Sequence, residues 1–349
     1  MMMASCSHDD LVSEGMEGVD ASVKKASTIP NSEDQALGGP VFDLETAPNG
    51  EILAADFSQG ITDLWGNLKT PLPGVTSVSA VGMGVMWATL GPNGEGTSDV
   101  NQGLYRVQKD RVELVANLYS FENEHNPAGG TDINSNPYAV KALSANSALV
   151  IDSGANDLLR VDQKGHVEII AVFPEEPVSL ANFQDLSGCG DSTEGLCGEE
   201  MLPAQPVPTS VAIGPDGYYY VGELKGFPAP TGESNIWKIS PAAMAAQCGS
   251  SPDCVKLFDG GFTSIIDMAF GDDGMLYVAE MDVRSWLAVE GGLGEGGRIQ
   301  RCDPQTLDCD VIAEDIFMLT SIVFDKEGRL WVTQNSLIPG EAEVVQVSY

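Results

Sequence analysis

The sequence predicts an all-β fold, a six-bladed β-propeller with a disordered N-terminal tether, on three observations. A strand–turn–strand unit recurs six times between residue 41 and the C-terminus. The spacing of the copies is roughly 50 residues, the size of a four-stranded propeller blade. No stretch sustains the 3.6-residue apolar period of a long amphipathic helix.

The clearest copy is VPTSVAIGPDGYYYVGEL, residues 207–224, in which two short apolar strands flank a Pro-Asp-Gly turn and the second ends on a carboxylate. The same form recurs at 265–281, 319–335, 41–57 and 138–154, with a degraded copy at 75–91 where Gly84 takes the turn. Asp-Gly, Asn-Gly and Glu-Gly supply the positive φ that such hairpins require. A further strand follows each copy, for example GLYRVQ (103–108), DLLRVD (157–162), NIWKIS (235–240), GRIQRC (297–302) and VVQVSY (344–349). A unit of this kind cannot bury both faces alone, so the blades must stack radially; a β-sandwich would not require a repeat with a fixed hairpin. SPAAMAAQC (240–248) is at most one or two helical turns. The last blade ends on its third strand, so its outer strand comes from residues 20–40 or is absent.

Residues 1–39 precede the propeller, which spans 40–349. The segment 7–39 is polar and poor in large apolar residues, as a disordered tether is. Within Met3-Ala4-Ser5-Cys6-Ser7, small residues before Cys6 resemble a bacterial lipobox, although a charged n-region and a full apolar run are missing. Cys6 is therefore a candidate lipidation site, with an incidental free thiol as the alternative. The other six cysteines fall into close pairs, Cys189–Cys197, Cys248–Cys254 and Cys302–Cys309, each in a segment rich in turn residues. Zinc is disfavoured because no pair is C-x-x-C and no His lies nearby. Three local disulfides are expected, and with them an extracytoplasmic location: secreted, periplasmic, or a cell-surface lipoprotein.

The chain carries 51 acidic and 17 basic residues, a formal net charge of -34. Such a surface repels nucleic acid and anionic lipid, so membrane contact is expected only through a lipid anchor. No GxSxG elbow, P-loop or dinucleotide fingerprint is present.

The repeat register places candidate site residues. In a propeller the entry to the inner strand and the exit from the second strand share one face. The second strands close on Asp56, Thr89, Asp152, Glu223, Glu280 and Gln334, and Asn136 stands at an inner-strand entrance. Asp56, Asp152, Glu223, Glu280 and Asn136 are thus candidate ligands for a hard cation, Ca²⁺ above all. Equally, such carboxylates can serve only to bind the backbone N–H groups of the adjoining loop. Asp43 and Asp267 occupy early inner-strand positions that can point into the channel. The longest connection on that face is read as 121–138, a polar loop whose His125 is a candidate general base beside Glu122 or Asp132. Loop 226–232 offers Phe227 as an aromatic contact or a staple.

Several runs resemble the ScyD/ScyE family: Asn136-Pro137-Tyr138, SGANDLLRVD (153–162), IIAVFP (169–174), VPTSVAIGPDGYYYVGELKGFP (207–228), FTSIIDMAF (262–270) and PGEAEVVQV (339–347). The resemblance covers roughly residues 41–349, and the cysteine pairs and Cys6 depart from it. It implies a secreted six-bladed propeller and supplies no catalytic residues; a more distant similarity runs to NHL-repeat and gluconolactonase-like propellers. The expected function is a binding or scaffold module taking a small molecule, glycan or protein at the acidic propeller mouth. The alternative is a Ca²⁺-dependent lactonase, hydrolase or lyase.

Overall fold

Six antiparallel hairpins form where the repeats predict them: Val41–Thr46 with Ile52–Asp56, Val75–Gly82 with Val85–Leu90, Pro137–Ser144 with Ser147–Asp152, Pro208–Ile213 with Tyr219–Glu223, Ile265–Phe270 with Leu276–Glu280, and Ile322–Phe324 with Leu330–Gln334. The computed structural model describes residues 37–92, 102–109, 111–130, 133–188, 190 and 194–349. Residues 7–36 of the expected tether, Cys6 and its lipobox, Cys189 and Asp132 lie outside the described residues.

Each hairpin gains a third strand, and five blades gain a fourth. Consecutive inner strands are neighbours all the way round, and the first meets the last, so the ring is closed. The second strands of blades 1, 4 and 5 are buried at every position. The reason is radial stacking, which covers both faces of a blade. In blade 3, Leu149 and Ile151 pack towards Val221 and Trp237 of blade 4, while Ala148 and Val150 pack towards Trp87 and Leu104 of blade 2. Alternate side chains thus serve alternate neighbours, and the strand reads as a continuous apolar run.

Closure joins blade 6 to blade 1. Thr320 Oγ1 donates to Val41 O (2.6 Å), Leu44 N to Ser321 Oγ (3.0 Å) and Thr46 Oγ1 to Phe324 O (2.7 Å). Leu37, Val41, Leu44 and Ala54 share a core with Val323, Ala342 and Val344. Among the described residues the sixth blade keeps three strands, its outer edge met only by a bridge from Leu37 to Ala342. Leu37 is 1% exposed, and Gly38 and Gly39 donate to Asp56, so residues 37–39 are built into the ring.

Two of the expected disulfides are formed, Cys248–Cys254 and Cys302–Cys309. The second bridges opposed residues of the strands Gly297–Cys302 and Cys309–Ile316. The first has a larger architectural role. Residues 240–248 are not helical; Ala246–Gln247 instead run parallel to Ala171–Val172, adding a fifth strand from blade 4 to the edge of blade 3. Cys248–Cys254 holds that strap.

The segment 121–138 is not wholly a loop. It opens within α1 (Leu118–His125), capped by the Asn117 side chain, which accepts from Ser120 N at 2.7 Å. Nor is it the longest connection on its face. Residues 173–207, between blades 3 and 4, carry a hairpin (Glu176–Ser179 with Met201–Ala204) and α2 (Ala181–Ser187). This excursion docks on α3 (Trp286–Glu290) and loop 226–232: Asn182 Nδ2 donates to Ala229 O, Arg284 O and Ser285 Oγ, and Phe183 meets Phe227 edge-on. Phe227 therefore staples the loop while staying 42% exposed.

Replacing Cys248 and Cys254 together with Ser should lower the unfolding free energy by about 2 kcal/mol in urea titration, the amount expected for a short closed loop. An unchanged midpoint would mean that the strap is held by its ladder alone.

Candidate functional site

Inner strands of a propeller point their free edges at the axis, where no neighbouring strand supplies hydrogen bonds. Side chains must serve those edges instead. Each inner strand of the first five blades carries a register shift beside its entrance, between Val41 and Asp43, Val75 and Ser77, Pro208 and Ser210, and Ile265 and Asp267, and opposite Pro137 in blade 3. Such bulges re-aim the side chains that follow.

The result is a cavity of about 310 Å³ to which every blade contributes, with Asp43, Glu45, Lys141 and Asp267 as its charged residues. Asp43 Oδ2 accepts from Ser77 Oγ (2.6 Å) and Val78 N (2.9 Å), and Ser77 Oγ in turn accepts from Val140 N (3.0 Å). One carboxylate thus binds blade 1 to blade 2, and its serine passes the link to blade 3. Glu45 repeats the arrangement one layer on, accepting from Ser79 Oγ and Ala80 N at 3.1 Å. Asp267 does the same from blade 5, accepting from Ser321 Oγ (2.6 Å) and Ile322 N (2.8 Å). Ser321 Oγ lies 3.4 Å from Asp43 Oδ1, so the two aspartates flank one hydroxyl. Lys141 of blade 3 reaches past blade 2 to Glu45 of blade 1 at 3.2 Å.

Burial, and after it the neighbouring Asp267, pushes Asp43 up to about 8; burial pushes Asp267 up to about 6 despite its hydrogen bonds. Glu45 draws the Lys141 ammonium upward. The channel therefore holds two aspartates of raised proton affinity at one level and an ion pair at the next.

The second-strand carboxylates belong to separate surroundings. Asp56 accepts from Gly38 N, Gly39 N, Ser58 N and Oγ, and Gln59 N and Nε2. Asp152 accepts from Ser135 Oγ, Asn136 N, Gly154 N and Ala155 N. For Asn136 it is thus the backbone N–H that meets Asp152. Glu223 is met by Trp237 Nε1 (2.5 Å), Asn235 Nδ2 (2.8 Å) and Lys225 Nζ (2.9 Å), and Glu280 by Arg298, Gln300 Nε2 and Thr263 N. Each is at most 1% exposed. Among the described residues, no three His, Cys, Asp or Glu side chains form a group placed to hold a metal ion. The structure thus spreads these five residues over four blades, each served by its own loop.

His125 ends α1, its ring stacked on Phe121 (4.3 Å between centroids) with Nδ1 3.0 Å from Phe121 O. Glu122, one turn earlier, is 3% exposed, and burial, followed by Asp152, pushes it up to about 7. Asp157 goes unnoticed in the sequence reading because it lies inside an ordinary strand, DLLRVD. It is fully buried, and burial, with Asp152 and Glu122 adding to it, holds its carboxyl well above the usual range. Lys225, also missed, is 1% exposed and bridges Glu223 to Glu176 (2.9 and 2.7 Å).

Fold and site together define a closed six-bladed β-propeller with an acidic axial channel. Known proteins agree on the fold. No protein-family model and no curated protein sequence matches the chain. Among solved structures, the PQQ-bound aldose sugar dehydrogenase of Streptomyces coelicolor is similar with a TM-score of 0.52 at 11% identity, over 94% of this chain and 99% of that one. A Bacteroides thetaiotaomicron protein of unknown function gives 0.52 at 12% identity, over 93% and 73%. A putative oxidoreductase (glucose dehydrogenase) of Thermus thermophilus gives 0.50 at 14% identity, over 90% and 99%. At such identities the likeness is one of fold.

Two measurements follow. An acid whose folded pKa is raised binds more protons folded than unfolded, so its contribution to stability is lost as pH rises from about 4 towards about 8. Asp43→Asn stays neutral throughout. Relative to the parent it should gain about 3 to 4 kcal/mol between pH 5 and pH 8 in urea titrations; a constant difference would show that Asp43 is ionised at both. Lys225→Met leaves Glu223 and Glu176 facing each other and should cost about 3 kcal/mol, read from the same unfolding curves.

Proposed function

We propose that this chain is an extracytoplasmic propeller of ScyD/ScyE type that acts as a binding or scaffold module, holding its ligand at the acidic channel and mouth. The supporting observation is that the channel's charged groups are held in fixed positions. Asp43, Glu45 and Asp267 each hold the backbone of a neighbouring blade, and Lys141 is tied to Glu45. A rigid array of polar groups suits recognition of hydroxyl or amine groups, because little side-chain freedom is lost on binding. A small polar molecule or a glycan end fits a cavity of about 310 Å³, and a protein partner would lie across the face that carries the 173–207 excursion. A net charge of -34 argues against nucleic acid. The disulfides support an oxidising compartment, and membrane attachment would run through lipidation of Cys6. Among the described residues, no helix is long and apolar enough to cross a membrane.

The second reading, a Ca²⁺-dependent lactonase, hydrolase or lyase of gluconolactonase type, has the fold behind it. It stands second because Asp56, Asp152, Glu223 and Glu280 are engaged by their own loops and because His125 is packed on its own helix.

A screen of oligosaccharides, small polyols, amines, lactones and esters by thermal shift and calorimetry separates the two. We expect binding without turnover, weakened about tenfold by the charge-neutral pair Glu45→Gln with Lys141→Met. Hydrolysis of a lactone or ester, lost in that double variant, would establish the enzyme reading instead. Binding indifferent to the substitutions would move the site out of the channel.

A further inference from the structure

At the face of the ring where blade 2 passes into blade 3 lies a pocket of buried oxygen atoms that lack donors. Asp152 and Asp157 are opposed residues of one ladder, at the exit of the second strand and the start of the third. They share an environment but not its hydrogen bonds. Asp152 takes four, from Ser135, Asn136, Gly154 and Ala155. Asp157 is 0% exposed, and among the described residues neither of its carboxylate oxygens has a partner. Two further acceptors nearby are in the same condition: Glu122 Oε2 on α1 and Gln102 Oε1, in side chains 3% and 1% exposed. Gln102 is tied into the pocket, because its Nε2 donates to Ser135 O (2.9 Å) and Ser135 Oγ donates to Asp152. Glu122 and Asp152 both act electrostatically on Asp157.

Buried carboxylates without donors are costly, and native interiors rarely keep them unless something neutralises them. What these atoms lack is positive charge that accepts electron pairs from oxygen. We propose that this pocket binds one Ca²⁺ ion, with Asp157, Glu122 and Gln102 supplying the protein oxygens and Asp152 forming the rigid acidic wall behind them. Calcium is favoured by the donor set. All three donors are oxygens, two of them charged, with no nitrogen or sulfur to attract zinc. Calcium also accepts irregular coordination of variable number, whereas magnesium demands near-ideal octahedral geometry and gives up its waters reluctantly. The site needs no cage of three charged side chains, which the described residues do not contain, since the amide and water complete it. The proposal is independent of what the axial channel binds, for it uses none of the channel residues.

The test uses the full chain, stripped with chelator and dialysed at neutral pH in fixed salt. Calcium chloride should raise the unfolding midpoint by several degrees at about 100 times its dissociation constant. Metal analysis should return one Ca²⁺ per chain, and magnesium or matched sodium chloride should not reproduce the shift. Asp157→Asn removes one charge isosterically, so in chelator it should unfold no earlier than the parent; it should also lose saturable calcium binding, and Glu122→Gln should weaken that binding at least tenfold. An equal response to all three salts would overturn the proposal. So would a calcium shift that survives unchanged in Asp157→Asn, or a parent protein that binds no calcium, its carboxylates being neutralised by protons alone.

Discussion

A propeller needs something to hold the inner edges of its blades, and here that is a side chain in one blade accepting the backbone N–H of the next. Asp43 takes Val78 N, Glu45 takes Ala80 N and Asp267 takes Ile322 N. Serines extend the reach by one blade: Ser77 receives Val140 N, Ser79 receives Ala142 N and Ser321 receives Leu44 N. Hydroxyls of Thr76, Ser153, Thr209 and Thr320 complete the belt by donating to the first carbonyl of the following inner strand. An acceptor that serves these N–H groups has to stand half-buried on the channel wall beside them. The acidity of the channel is thus a consequence of construction, and so is the raised proton affinity of Asp43 and Asp267.

The same economy governs the outer carboxylates. Asp56, Asp152, Glu223 and Glu280 occupy equivalent places, yet they use different donors. Asp56 and Asp152 are served chiefly by loop amides, Glu280 by Arg298 and Glu223 by Lys225. The blades therefore share a need for a clasp at the second-strand exit without sharing its chemistry. Blade 3 alone adds a second carboxylate, Asp157, directly opposite the clasp, and that addition is what sets its rim apart.

Much of this was legible in the residues. The hairpins could be placed because two short apolar strands around a Gly turn leave a local signature, and the blade count followed from their spacing. Asp43 and Asp267 could be assigned to the channel because inner-strand register is also local. What stayed hidden depends on neighbours distant in sequence. Nothing in SPAAMAAQC announces that Ala246 will pair with Ala171, and nothing in DLLRVD says that Asp157 will be buried within the electrostatic reach of Glu122. The 173–207 excursion was passed over because its hairpin is short and lacks the repeat's turn. Gln102 and Glu122 come from two different connections and Asp157 from a strand, and the packing of blade 3 on blade 2 brings them to the same side of the ring.

The strap between blades 3 and 4 lies across the ring from the joint between blades 6 and 1. One side is reinforced by a shared strand and a disulfide, while on the opposite side, among the described residues, the last blade's outer edge is met by a single bridge at Leu37. The two joints are therefore fastened by different chemistry: a covalent bond backs the one between blades 3 and 4, and hydrogen bonds with a common apolar core hold the one between blades 6 and 1. Reducing agent can reach only the first of them.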